Sequence, residues 1–168
     1  MYQRILVGTD GSDTATRAVE AAARFAAAQD AELVIAHVYS PRPTPAQQRA
    51  WDQAPQKLRW QLSTGSVGEQ ILHGAVRHVT KTTEGSVRVH GRCEPGRAVP
   101  VLLALVDELD PDLLVIGNRD MPVRIRARRS VSRALARRAS CDVTIIDTLG
   151  RREHRLQRTR RPLAPLAT

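Results

Sequence analysis

Short apolar segments alternate along the chain with longer patterns of helical period. The apolar segments lie at residues 4–8, 32–38, 86–93, 112–117 and 142–147. Most of them are continuously apolar, which is typical of strands that are covered on both faces of a parallel sheet. The third segment, 86–93, alternates between apolar and polar residues instead. This alternation predicts an edge strand with one wetter face.

Apolar residues at helical spacing predict helices between these strands. The predicted stripes are Val19, Ala22, Ala23 and Ala26; Val67, Ile71, Ala75 and Val79; Val99, Leu102, Leu103, Val106 and Leu109; and Val131, Ala134 and Leu135. Ser66 and Glu69 have the spacing of a capping box and predict where the second of these helices begins. Pro100 is compatible with the third helix only in its first turn.

Strands that alternate with helices form right-handed βαβ units and an open, doubly wound parallel sheet. We therefore predict an α/β protein with five parallel strands and a Rossmann-like arrangement. Ligands of such sheets bind beyond the carboxyl ends of the strands, where the winding direction changes.

Two segments fall outside this pattern. Residues 40–62 carry four prolines together with Trp51 and Trp60, and they predict an excursion over the surface that the two tryptophans pin in place. Residues 150–168 contain six Arg and two Pro without apolar periodicity, which predicts a disordered tail. The expected organisation is one domain over residues 1–149 followed by an Arg-rich tail over 150–168.

The charge of the chain is unevenly distributed. The formal net charge is +9, but residues 1–117 hold 12 Lys and Arg against 13 Asp and Glu, whereas residues 118–168 hold 14 Arg against 4 acids. Any contact with nucleic acid is therefore expected to be weak and to use the Arg-rich loop and tail, through phosphates. Alternatively, the tail is disordered and has no partner.

The cysteine content and the apolar runs predict the compartment. Cys93 and Cys141 are isolated thiols, and the start of the chain does not resemble a signal peptide. No apolar run approaches the roughly 18 residues that span a bilayer. We expect reduced cysteines, a cytoplasmic location and no membrane partner.

Three separated segments resemble the universal stress protein family. They are ILVGTDGSDTATRAVEAA near the start, ELVIAHV in the second strand, and DLLVIGNR with SVSRALARRASCDVTII near the end. The resemblance covers residues 2–147 and implies a Rossmann-like fold of the adenine nucleotide alpha hydrolase type. It also implies that Asp10 and Val38 contact an adenosine, and that the loop beginning at Gly117, Asn118 and Arg119 holds ribose and phosphates.

The loop after Gly117 departs from the family pattern of three glycines. Asp120 replaces the second glycine, Pro122 removes an N–H donor, and Ser130 or Arg129 stands where the third glycine belongs. Glycine-rich loops bind phosphate through main-chain N–H groups that approach closely, which side chains obstruct. This favours weak or lost nucleotide binding, with no required cofactor.

The arginines of the same loop allow other interpretations. Arg124, Arg126, Arg128 and Arg129 form an exposed charge cluster in the simplest interpretation. Alternatively, Arg128 and Arg129 hold the phosphates of ATP bidentately, with Ser130 nearby, so that the protein is an ATP-binding switch. Conventional ATP binding is the third alternative.

Few other residues offer chemistry. Asp10 serves either a ligand or a turn, whereas Ser12 and Asp13 are predicted to cap a helix. His37 is expected to pack under the end of its strand. The spacing of His73 and His78 does not suit chelation on a helix, so no metal site is predicted. Without a nucleophile elbow, Walker loop or paired-carboxylate motif, we expect a regulatory or partner-binding module rather than an enzyme.

The last strand also predicts assembly. Residues 142–147 are expected to form the second edge of the sheet, and a bare apolar edge invites pairing with another chain. The family resemblance implies the same contact. We therefore predict a homodimer through Val143 to Ile146, with an unidentified protein partner as a further possibility.

Overall fold

A computed structural model of the protein describes residues 1–118, 131–147 and 154–156, and only the backbone of Asn118, Asp147 and residues 154–156. The strands are Arg4–Thr9 (β1), Glu32–Tyr39 (β2), Val89–Pro95 (β3), Leu113–Asn118 (β4), Asp142–Asp147 (β5) and His154–Leu156 (β6). The helices are Asp13–Gln29 (α1), Pro45–Gln53 (α2), Thr64–Thr82 (α3), Ala98–Leu109 (α4) and Val131–Arg138 (α5), with a 3-10 helix at Gln56–Leu62.

The strands form one sheet in the order β3-β2-β1-β4-β5-β6, in which the first five are parallel. This confirms the predicted five-stranded parallel α/β fold, and β3 lies at an edge as expected. The chain winds from β1 to β2 and β3, then returns to place β4 on the other side of β1. The winding direction therefore changes between β1 and β4.

Each central strand contributes to cores on both faces of the sheet. In β1, Ile5 and Val7 pack toward α1 and α3, whereas Leu6 packs toward α4 and α5. All three side chains are fully buried. Because successive residues of a strand point to opposite faces, burial on both sides requires the continuous apolar segments seen in the sequence.

Helix α3 begins earlier than predicted. Its N-cap is Ser63, whose hydroxyl oxygen accepts a hydrogen bond from the Ser66 N–H at 3.1 Å. The predicted start at Ser66 and Glu69 is therefore wrong, because an equivalent cap three residues earlier starts the helix. The buried stripe is also displaced by one residue, to Gly68 and Leu72, and meets the predicted stripe only at Val79.

Residues 40–62 lie on the surface, as expected, but they contain regular structure. Thr44 and Gln47 form a complete capping box at the start of α2, and Pro45 is its first residue. Neither α2 nor the 3-10 helix has a buried residue. Trp60 is 63% exposed, so the expectation that it pins this segment is wrong.

The sheet continues beyond β5. Strand β6 pairs antiparallel with it, with Val143 opposite Leu156 and Ile145 opposite His154. The prediction that β5 forms the second edge is therefore wrong, and residues 154–156 differ from the tail expected to lack structure. A strand of three residues with little apolar character gives no recognisable period, so only its pairing partner reveals it.

Candidate functional site

The change of winding direction brings the ends of β1 and β4 together. Asp10 directly follows β1, and Gly117 is the penultimate residue of β4. Val38 lies near the carboxyl end of β2, the strand on the other side of β1. Three predicted site residues therefore lie at the carboxyl ends of adjacent strands, where open parallel sheets bind ligands.

Asp10 organises the turn between β1 and α1. Its Oδ1 accepts hydrogen bonds from the main-chain N–H of Ser12 at 3.0 Å and from the Ser12 hydroxyl at 2.5 Å. Between them, Gly11 has a φ of 77°, a conformation that favours glycine. The Asp10 side chain therefore has a turn role, and it is also exposed at the crevice.

Ser12 caps helix α1, as predicted. Its hydroxyl oxygen accepts a hydrogen bond from the Ala15 N–H at 3.3 Å, and Asp13 is the first residue of the helix. Asp13 also places a negative charge in the first turn, where the helix dipole favours it. Capping accounts for both residues without a ligand.

Gly117 allows close approach of the main chain. A Cβ on this residue would lie 2.8 Å from the carbonyl oxygen of Thr14 and 3.2 Å from its carbonyl carbon. The first turn of α1 therefore packs directly on the end of β4. This contact explains why a glycine is needed at position 117 without invoking phosphate binding.

His37 joins the ends of β1 and β2. The residue is 5% exposed, and its Nδ1 lies 2.9 Å from the carbonyl oxygen of Thr9, to which its N–H donates a hydrogen bond. The expectation that His37 packs under the strand end is confirmed. The bond holds in place the residue that precedes Asp10.

Val38 lies where pairing between β1 and β2 has ended. The last pair on that side is Thr9 with His37, whereas β2 and β3 remain paired through Val38 with Glu94. The Val38 side chain is half-buried and packs toward the α4 face of the sheet. Its main chain therefore stands beside Asp10, where the resemblance places an adenosine.

The two cysteines are poor nucleophiles. Both are free, and burial raises the pKa of each thiol to about 11, with the nearby Glu69 carboxylate adding to the shift at Cys93. A thiol attacks as the thiolate, which is scarce at neutral pH when the pKa is this high. Both thiols are therefore protonated at neutral pH.

Part of the predicted site lies outside the described residues. The residues that are not described include Arg119, Arg128, Arg129 and Ser130. Asn118 is described only as the last backbone position of β4. In the described part of the chain, no three His, Cys, Asp or Glu side chains are grouped to hold a metal ion. None of the helices in residues 1–118 and 131–147 is long and apolar enough to cross a membrane.

Sequence reasoning missed several residues that shape the crevice. Thr9 supplies both the carbonyl oxygen bound by His37 and a hydroxyl oxygen that accepts the Gly11 N–H at 3.2 Å. Ile71 of α3 covers Gly11, with its Cγ2 3.0 Å from the position of a Cβ. Thr14 meets Gly117 through its main chain, for which no side-chain pattern provides a signal.

The topology defines the class of the protein: an open, doubly wound α/β domain with a crevice where β1 meets β4, the place at which sheets of this class bind ligands. The model of the universal stress protein family matches residues 1–147, and the chain belongs to this family. It is 38% identical to universal stress protein Rv1636 of Mycobacterium tuberculosis over 148 residues, which cover 88% of this chain and 97% of that protein.

Two further relatives agree with this assignment. A putative universal stress protein of Staphylococcus haemolyticus is 31% identical over 150 residues, covering 88% of this chain and 86% of the relative. A universal stress protein whose crystal structure was solved in complex with cAMP superposes with a TM-score of 0.65. It is 34% identical and covers 88% of this chain and 98% of its own.

Proposed function

We propose that the protein is a non-enzymatic regulatory module of the stress response that binds an adenine nucleotide with a single phosphate at the crevice. ATP binds there weakly or not at all. The single observation that carries this proposal is that Asp10, Val38 and Gly117 meet at the change of winding direction. We further propose that the module acts in the cytoplasm, as the sequence predicts.

The preference for one phosphate follows from the two halves of the site. The adenosine half, Asp10 and the Val38 main chain, stands on ordered strand ends. The phosphate half has lost two of its three glycines and carries Asp120, a charge that repels a triphosphate. A nucleotide with one phosphate needs fewer contacts from that loop and is repelled less by Asp120 than a triphosphate is. The relative solved with cAMP supports this choice of ligand.

Calorimetric titration with cAMP, AMP and ATP tests the proposal. We expect cAMP or AMP to bind with one site per chain, and ATP to bind at least about tenfold more weakly, a difference of about 1.4 kcal/mol. Protein that retains stoichiometric ATP through purification, or that binds ATP at low micromolar concentration, overturns the preference. Loss of ATP affinity in Arg128→Ala and Arg129→Ala would then favour the ATP-binding switch.

A further inference from the structure

The surface segment between β2 and α3 contains a groove that the proposed nucleotide site does not use. The groove has a volume of about 220 Å³ and lies between α2 and the first residues of α3. Pro43, Trp51 and Leu62 provide apolar walls, and Gln47 and Gln48 provide amides. Pockets for whole small molecules usually start at about 300 Å³, so this groove has the size for a side chain of a partner.

The groove is built by local contacts rather than by the core. The capping box of Thr44 and Gln47 starts α2, with the Thr44 N–H donating to Gln47 Oε1 at 2.8 Å. Arg59 closes the turn after α2, because its guanidinium donates to the carbonyl oxygens of Ala54 at 3.2 Å and Asp52 at 3.3 Å. These hydrogen bonds maintain the shape of the groove, although neither α2 nor the 3-10 helix has a buried residue.

Apolar side chains are concentrated beside the groove. The described residues contain four exposed large hydrophobic side chains, and two of these, Leu58 and Trp60, lie together in the 3-10 helix, at 41% and 63% exposure. Both tryptophans of the chain belong to residues 40–62. Tryptophan is enriched at the energetic centres of protein interfaces, where its large ring packs against a partner.

The charges around the groove are positive. Arg42, Arg49 and Lys57 are exposed, whereas Arg59 is held by the two carbonyl oxygens. The only acid among residues 40–62 is Asp52, whose Oδ1 already accepts a hydrogen bond from the Gln48 amide at 2.9 Å. This excess of positive charge complements an acidic partner and selects against a basic one.

We propose that the Trp51 groove, formed by Pro43, Gln47, Gln48, Trp51 and Leu62, docks an acidic segment of a partner protein through one apolar side chain. The anchor fills the groove, and flanking Asp or Glu residues pair with Arg42, Arg49 and Lys57. A concave groove does not match the flat face of a lipid bilayer. The aliphatic walls of Pro43 and Leu62 favour an apolar side chain. Because nucleic-acid bases can stack on Trp51 and on the exposed Trp60, oligothymidine is the competing ligand in the test.

Arrays of short acidic peptides, each with one central Leu, Ile, Phe or Trp, test this proposal. Matched arrays carry Gln or Lys in place of every acid. We expect the acidic arrays to retain the protein, and the best peptide to change the tryptophan emission, which reports on residues 40–62 alone. Arg49→Glu should weaken that peptide at least about tenfold, a change of about 1.4 kcal/mol.

Two further variants separate docking from nonspecific effects. Trp51→Ala should abolish calorimetric binding of the best peptide while leaving the unfolding transition unchanged, because α2 has no buried residue. Arg77→Glu is the charge-matched control, since it is exposed on α3, roughly 20 Å along the helix from the groove. It should bind like the parent protein.

Several outcomes overturn the proposal. One is equal retention by the acidic and Lys arrays, and another is peptide binding that survives both Arg49→Glu and Trp51→Ala. A response of the tryptophan emission to vesicles of phosphatidylglycerol or to oligothymidine, with none to the acidic peptides, assigns the surface to a membrane or to nucleic acid instead. The nucleotide titrations are independent of each of these results.

Discussion

The carbonyl oxygen of Thr14 lies 2.8 Å from the position that a Cβ would take on Gly117. The main chain of the first turn of α1 thus contacts the main chain at the end of β4, beside the crevice. A glycine that the family resemblance assigns to ligand binding therefore also determines how a helix packs on the sheet.

Gly117→Ala should destabilise the free protein. The new methyl group has no flexible neighbour to displace, because the nearest atoms belong to the backbone, and overpacking of this kind costs about 1–3 kcal/mol. Urea unfolding without ligand measures the loss. Gly74→Ala is the matched control, since a Cβ there meets nothing within 4 Å inside α3 and should stabilise slightly. Equal stability of Gly117→Ala and the parent protein would refute the packing role.

Replacing His37 with Phe should also destabilise the protein. The aromatic ring keeps most of the packing, but the buried carbonyl oxygen of Thr9 loses the donor that lies 2.9 Å away. An unsatisfied buried acceptor costs about 1–3 kcal/mol. His73→Phe, at a largely exposed position of α3, should change the free energy of unfolding by less than about 0.5 kcal/mol. Similar losses in both variants would show that the His37 bond contributes little.

Glu32 should make part of the stability depend on pH. Arg4 Nε donates to its carboxylate at 2.8 Å, and this hydrogen bond lowers the pKa of Glu32 from its ordinary value, despite opposing desolvation. Because the folded pKa is the lower one, the stabilisation is complete above the unfolded pKa and is lost as pH falls through the folded value.

Glu32→Gln tests this dependence. At neutral pH the variant should be less stable by about 0.2–1 kcal/mol, since the pair is partly exposed, and the difference should vanish in acid. Urea unfolding between neutral pH and about pH 3 follows it. Asp107→Asn removes an exposed charge from α4 and serves as the control. A gap between Glu32→Gln and the parent that stays constant into acid would contradict the assignment.

The homodimer through Val143 to Ile146 remains a prediction, and the pairing of β6 with β5 restricts how it can form. Strand β6 occupies β5 from Val143 to Ile145, so a second chain must displace residues 154–156 or pair elsewhere. Light scattering after size exclusion, on the full chain and on a chain ending at residue 147, separates these cases. We expect dimers, and a larger dimer fraction in the shorter chain. Monomers alone at micromolar concentration in both would disprove the β5 interface.

The strength of local signals explains what the sequence predicted. Five apolar segments specified a sheet buried on both faces, and Ser12 capped α1 where expected. The resemblance brought Asp10, Val38 and Gly117 into one site. These features are encoded within a few consecutive residues, so a pattern search finds them.

The remaining features depend on contacts between distant residues. Nothing local in β6 indicates that it pairs with β5. Ser63 and Ser66 have the same capping chemistry, so residue type alone did not identify Ser63 as the cap of α3. The turn role of Asp10 was one of two alternatives, and it coexists with exposure at the crevice. The meeting of Thr14 with Gly117 involves main-chain atoms, which no side-chain pattern reports.

Calorimetric titration of cAMP into the parent protein and into Asp10→Asn tests the central claim most directly. Asparagine keeps a side-chain oxygen for the Ser12 N–H and so preserves the turn, but it loses the charge offered to the adenosine. We expect one site per chain in the parent and about tenfold weaker binding of cAMP in Asp10→Asn. The control variant, Asp13→Asn, should bind cAMP with the affinity of the parent. No binding by the parent, or equal affinity in Asp10→Asn, would contradict a nucleotide site at the meeting of β1 and β4.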